Sequence, residues 1–363
     1  PVQAAFLPNA YLRTQSNMVE VLKFITFATS DEAEKVLIEG GMLPSTVTVT
    51  DQAGNMLEIK QPIGRVISTY GPTTSFIYSV NAQDRLVSAS YLGARDPFGA
   101  SMMEKMDPRF HVLMGDDYFS QEIFNIEQGA TLNPDLIVTS ARTSWLETAA
   151  ELGFPVVLYD AETPERLEEA MRLTGQIFGP RATAYADTWI QYYHHVVETI
   201  EEQTEPLSDD QRPRVLFTGT QPFKVAGGDM YQTSIVEFAG GISVSSELSG
   251  YWPEINIEQV AVWNPDVIIV PPYGGATVEV ITESAEWQIL EAVQEGKVYR
   301  MPKLVVPWDT PAPDSALGIV WMAQLLNPDA VSLLCTQEAE YFYNTFYNYE
   351  ITQDELATIC KFK

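Results

Sequence analysis

The sequence is poor in several residue types. Its 363 residues include two cysteines, three histidines and 21 basic residues against 49 acidic ones, for a net charge of −28. So few Lys and Arg exclude nucleic-acid binding, which depends on neutralising phosphates. They equally disfavour contact with anionic lipid headgroups. A well-solvated surface accounts for the excess acid, with attraction of a basic partner or a cationic ligand as the alternative. No run of about eighteen apolar residues occurs, so no segment reads as a membrane-spanning helix. No leader peptide is recognisable after Pro1; for an exported protein, the signal or lipid anchor would be absent from this sequence.

The scarcity of metal-binding side chains is equally restrictive. His194 and His195 are adjacent, and neighbours on a helix point about 100° apart, so they cannot chelate one ion; His111 stands alone. Asp116, Asp117 and Asp309 could meet a hard cation, but no loop of regularly spaced acids is present. No directly bound metal is therefore expected. Cys335 and Cys360 are too few for a zinc site. They are either buried thiols or a disulfide pinning the C-terminal tail; the disulfide is favoured and implies an oxidising compartment.

What the sequence does have is an internal duplication. Asn125-Ile-Glu127-Gln128 leading to Asn133-Pro134-Asp135 returns as Asn256-Ile-Glu258-Gln259 leading to Asn264-Pro265-Asp266, with nine of sixteen positions identical. Two copies so far apart do not make a solenoid. They point to two similar lobes, and a cleft between lobes is a natural ligand site. In each copy Asn suits an N-cap, Gln falls at the third helical position, and Asn-Pro-Asp ends the helix before an apolar strand. Glu127 and Glu258 then read as first-turn acids that favour the helix dipole. They equally form a matched pair of charges suited to a two-fold basic surface.

Strand patterns alternating with helical ones predict an α/β protein with mainly parallel sheets. Short helices (18–27, 30–39) end at Gly40-Gly41, and a hairpin turns at Asp51–Asn55. Apolar strands are predicted at 65–69, 87–90, 136–139 and 156–159, with helices at 125–132 and 147–152. Thr163-Pro164 opens a helical region; past Gly179-Pro180 a helix to about Gln203 is roughly 35 Å long. The expected organisation is an N-terminal extension (1–43), a first α/β lobe (44–162), a connecting helical region (163–204), a second lobe (205–334) and a helical tail (335–363).

In this order the motifs resemble a known family, the substrate-binding proteins of ABC importers for metal chelates. The resemblance covers residues 45 to 334. It rests on Val47–Gly54, Pro62–Ile67, both Asn-Ile-Glu-Gln units, Pro222-Phe223 with Gly228, Phe238–Gly241 and Pro311–Trp321. It implies two lobes joined by a single long helix, a ligand between them, and little hinge motion, since a continuous helix resists bending. The implied cargo is a ferric siderophore first, then cobalamin or haem, then an oxyanion such as molybdate. The partner implied is a dimeric permease that docks Glu127 and Glu258 through arginines, with the free protein a monomer. Location is expected to be extracytoplasmic, and no resident cofactor is expected. Asp314, where the family often shows Glu, and residues 1–43 depart from the pattern.

In α/β lobes ligands meet the loops at the carboxyl ends of the parallel strands. Those loops carry Tyr70, Tyr91, Arg95, Arg142, Trp145, Lys224, Tyr273 and Trp308, with Tyr118 and the Tyr251-Trp252 pair just before the two repeats. Aromatic faces grip large flat ligands, and the three cations could neutralise an anionic chelate. Packing is the competing reading for each aromatic. Enzyme readings fare poorly, because there is no P-loop, no G-x-G-x-x-G and no G-x-S-x-G elbow. A chelatase would need proton acceptors in the cleft, and only His111 lies near a loop end. A surface sensor built on the same fold is the remaining alternative.

Overall fold

The computed structural model describes residues 30 to 362 except Asp96, Asp116 and Leu152, so the helix expected at 18–27 lies outside the described residues. Ser30 caps a helix at Asp31–Glu39. The strands β1 (Thr46–Thr50) and β2 (Met56–Lys60) pair as an antiparallel hairpin whose turn is held by Asp51 accepting from the Ala53 and Asn55 amides.

Two four-stranded sheets follow. The first contains β3 (Val66–Ser68), β4 (Leu86–Ala89), β5 (Leu136–Ser140) and β6 (Val156–Tyr159), in the spatial order β4-β3-β5-β6. The second contains β7 (Arg214–Phe217), β8 (Ile242–Ser243), β9 (Val267–Val270) and β10 (Val298–Arg300), in the order β8-β7-β9-β10. Every pair in both is parallel. The duplication thus extends beyond sixteen residues to the whole topology. In each sheet the order reverses between the first and third strands, β3 and β5 or β7 and β9, and that is where a crevice opens.

The repeat itself is a lock between helix, strand and sheet edge. Asn125 and Asn256 cap helices Ile126–Leu132 and Ile257–Trp263 by accepting from the amides of Gln128 (3.0 Å) and Gln259 (2.9 Å). Each helix ends on a left-handed Asn, Asn133 (φ 44°) and Asn264 (φ 43°), a conformation Asn tolerates well. The following aspartates fasten the neighbouring strand. Asp135 accepts from the Arg65 amide at 2.9 Å and Asp266 from the Arg214 amide at 2.8 Å. The two arginines donate back to the helix-end carbonyls of Leu132 (2.6 Å) and Trp263 (2.9 Å).

Helix Pro164–Phe178 turns at Gly179 (φ 93°) into helix Pro180–Thr204, 25 residues and roughly 38 Å long. Gly175 permits the close crossing, since a Cβ there would lie 2.9 Å from the Thr183 backbone. The long helix buries Trp189, Tyr193, Val196 and Ile200, spaced three or four apart. Trp189 donates to the Pro313 carbonyl, and Tyr193 meets Tyr231, which reaches Ser315.

The C-terminal segment adds a second tie. Cys335 and Cys360 form a disulfide. Tyr347, on helix Cys335–Tyr347, stacks on Tyr78 of helix Gly71–Ser79 at 5.8 Å. Lys105 pairs with Glu355 at 2.5 Å. Buried Asp314 accepts from Tyr347 (2.6 Å) and Tyr343 (3.3 Å), anchoring the same helix to the second sheet's final helix, Ser315–Leu326. Among the described residues no helix is long and apolar enough to cross a membrane.

Candidate functional site

Both strand-order reversals deliver polar aromatic side chains to one place. Tyr70 lies two residues beyond β3, immediately before helix Gly71–Ser79, and Arg142 lies two residues beyond β5. From the other sheet Tyr273 follows β9, where a Cβ on Gly274 (φ +79°) would meet the backbone of Thr220, beyond β7. Tyr251 completes the group by covering Arg142, whose guanidinium lies 4.7 Å from the tyrosine ring centroid. This cation–π contact spans the two sheets' loops.

Two carboxylates after β6 hold Arg142. Its Nη1 is 2.5 Å from Glu162 and its Nη2 3.4 Å from Asp160, which also meets Arg166 at 3.3 Å. Opposite them, the Tyr273 hydroxyl donates to Asp309 at 2.6 Å. Asp309 is fully buried, its Oδ1 has no hydrogen-bond partner among the described residues, and burial pushes its pKa up to about 7 despite the Tyr273 bond. Burial also raises the hydroxyl pKa of Tyr70, followed by the negative charge of Glu162. Burial and then Asp309 do the same for Tyr273. The space remaining beside Tyr70, Thr73, Arg142 and Glu162 is about 10 Å³, room for one water at most. A ligand larger than water requires the surrounding loops to separate.

Four of the residues expected at the cleft, Tyr70, Arg142, Tyr251 and Tyr273, are therefore together, and Trp252 adjoins them through Tyr251 at 6.1 Å. Trp252 is half-buried in a left-handed conformation (φ 50°), its ring against Gly219, where a Cβ would lie 2.6 Å away.

Three others belong to the core instead. Tyr91 is 1% exposed and meets Tyr78 through its hydroxyl. Trp145 stacks on Phe124 at 4.6 Å and donates to the Ser120 carbonyl. Trp308 is fully buried and donates to Tyr343. In each case the ring is buried and its polar atom is hydrogen-bonded within the protein. Arg95 and Tyr118 are exposed and Lys224 is half-buried; no hydrogen bond or ring contact among the described residues links these three to the cluster. Asp160 and Glu162 escape a reading centred on aromatics, although they obey the same rule: they lie one and three residues beyond the end of a parallel strand.

The histidines pair locally, His111 with Glu104 and His194 with Glu168, each at 2.6 Å. Among the described residues no group of three His, Cys, Asp or Glu could hold a metal ion. A larger cavity of about 410 Å³ lies between Phe98, which follows β4 of the first sheet, Pro272, Arg300 and Lys303 at the ends of β9 and β10 of the second, and Lys361 of the tail, and none of the expected ligand residues lines it.

Glu127 and Glu258 occupy the same first-turn position of their two helices, both exposed, and neither enters an ion pair among the described residues.

Paired sheets of identical topology, a helical spine and two facing strand-order reversals give the architecture of a two-lobed solute-binding protein. The comparison with known proteins agrees. The periplasmic binding protein family model matches residues 120–304, just over half of the chain. The chain belongs to that family, whose members bind solutes and are not enzymes. It is 21% identical over 333 residues to the molybdate-binding protein MolA of Haemophilus influenzae, covering 85% of this chain and 93% of that one. The molybdate-bound structure of that protein superposes with a TM-score of 0.72 over 84% of this chain and 99% of its own. A vitamin B12-binding protein of Yersinia pestis is 27% identical over 68% of this chain and 78% of its own. A periplasmic solute-binding protein of Veillonella parvula has a TM-score of 0.73 at 26% identity, covering 86% and 96% of the two chains.

Proposed function

We propose that this chain is an extracytoplasmic receptor that captures a metal chelate between its lobes and hands it to an ABC importer. The observation that carries the reading is the convergence of Tyr70, Arg142, Tyr251 and Tyr273 from facing sheet reversals, with one exposed glutamate at the same place on each lobe. Tyrosines offer large apolar faces with polar rims, which suit the ligand shell of a chelate better than a bare ion. The leading cargo is a ferric siderophore, followed by cobalamin or haem. Similarity to a molybdate-binding protein keeps a bare oxyanion as the second reading.

The partner is the permease dimer, engaged through Glu127 on one lobe and Glu258 on the other. Because Trp252 adjoins Tyr251, tryptophan fluorescence reports on the cleft. Titration with ferric siderophores, cobalamin, haem and molybdate should give saturable quenching with one of them at micromolar concentration or below. Silence across that panel would remove the metal-chelate reading.

A further inference from the structure

We infer that the cleft selects its ligand by charge, accepting neutral or cationic chelates that carry hydrogen-bond donors and rejecting anions, the free oxyanion included. The inference rests on the inter-lobe reading of the site given above.

Among the described residues Arg142 is the one cation in contact with Tyr251, and its charge is already committed. Glu162 and Asp160 hold its two terminal nitrogens while the Tyr251 ring covers its face. Asp160 is shared with Arg166, so two guanidinium groups stand against two carboxylates and this side balances. Across the cleft Asp309 adds a third carboxyl group, bonded to Tyr273 and, among the described residues, to no cation. The Gln232 side chain adjoining it donates to the Asp309 backbone carbonyl at 3.0 Å. An incoming anion therefore finds no uncommitted positive charge among the described residues of the cluster and must enter a chain of net charge −28.

A donor finds acceptors instead. Asp309 Oδ1 has no hydrogen-bond partner among the described residues and can accept from a donor. The Tyr251 ring already holds a cation on its negative face. The tyrosine hydroxyls register the same field: Glu162 acts on Tyr70 ahead of Arg142, and Asp309 acts on Tyr273.

The test is calorimetric titration of the purified chain with four probes. They are ferrioxamine B, a ferric trihydroxamate with a free ammonium; ferrichrome, a neutral trihydroxamate; ferric enterobactin, an anionic tris-catecholate; and molybdate. The trihydroxamates should bind at least about tenfold tighter than the tris-catecholate, and molybdate should not compete. Added salt should weaken the cationic complex, as screening predicts. Tighter binding of the tris-catecholate or of molybdate would overturn the charge selection while leaving the receptor reading intact. No binding by any of the four, with cobalamin and haem equally silent in the fluorescence titration, would take both down together. The double variant Asp160→Asn with Glu162→Gln releases Arg142 and should move the ratio of affinities toward the anion by about tenfold. An unmoved ratio in a variant that still binds would also refute the inference.

Discussion

The guanidinium of Arg142 rests 4.7 Å from the ring centroid of Tyr251, joining a loop of the first sheet to a loop preceding the second repeat. Tyr251 is 62% exposed, so the contact contributes only about 0.5–1 kcal/mol. Tyr251 nevertheless stands beside both Tyr70 and Tyr273. Tyr251→Ala should lower the urea-unfolding free energy by less than about 1 kcal/mol while weakening chelate binding by about tenfold. Affinity equal to the parent's would show that Tyr251 lies outside the site.

Docking makes a separate demand. Glu127→Arg together with Glu258→Arg reverses both exposed marks without touching the cleft, since each lies in the first turn of its repeat helix. Uptake by cells carrying the transporter should be abolished and ligand affinity in solution unchanged. Each single variant should retain part of the uptake, because one lobe can still engage. Full uptake by the double variant would end the docking role.

The buried carboxyl of Asp314 gives the chain a pH signature. Burial pushes its pKa up to about 7, although Tyr347 and Tyr343 donate to it. The folded chain therefore keeps a proton that the unfolded chain releases near 3.8. More protons are bound folded than unfolded, so stability falls as pH rises from about 4 to 7 and levels above that. Asp309, raised to the same range, adds to the slope. Glu355 works in the opposite sense but at lower pH. Partial burial opposes its ionisation, while Lys105 and the Thr352 amide and hydroxyl prevail and hold it down at about 2. Denaturant midpoints measured from about pH 4.5 to 7.5 should thus decline, and Asp314→Asn should flatten the decline. A tenfold difference in proton affinity between the folded and unfolded chain is worth about 1.4 kcal/mol, enough to move a midpoint measurably. A slope identical in the variant would mean that Asp314 titrates normally.

Much of this architecture is legible in the sequence because the signals are local. Asn125 and Asn256 announce their helices through capping chemistry, the strand Val156–Tyr159 is bounded by Gly153 and Asp160, and Gly179-Pro180 marks the turn into the spine. The two left-handed asparagines that end the repeat helices are obscured by the prolines after them, which already explain the ending. Cleft aromatics are harder. Tyr70 and Tyr273 stand out because they closely follow parallel strands, but Trp145 and Trp308 sit in the same kind of loop and point inward. Position along the chain fixes which loop a ring occupies and leaves its rotamer to tertiary packing. Asp160 and Glu162 show the converse: acids after a strand look like ordinary solvated loop residues until the arginine they hold is placed beside them.

The last prediction concerns how firmly the two sheets' loops are held together. Gly93 follows β4, and its amide donates to the Val305 carbonyl beyond β10 at 2.9 Å. A Cβ at Gly93 would lie 1.6 Å from the Leu304 carbonyl oxygen and 2.6 Å from that of Val305. Both are backbone atoms, so the clash cannot be relieved by rotating a side chain, and the 93–95 turn must withdraw from the 304–305 segment. Gly93→Ala should therefore lower the melting temperature and loosen the approach of Tyr70 and Arg142 to Tyr251 and Tyr273, weakening ligand binding. Gly64→Ala is the control. A Cβ there meets only the Asp135 carboxylate at 3.7 Å, ordinary van der Waals contact, and the change should be nearly silent. Small-angle scattering distinguishes the two variants: Gly93→Ala should enlarge the radius of gyration and Gly64→Ala should not. Equal scattering curves, with equal melting temperatures, would show that the long helix and the C-terminal tie alone set the spacing of the sheets.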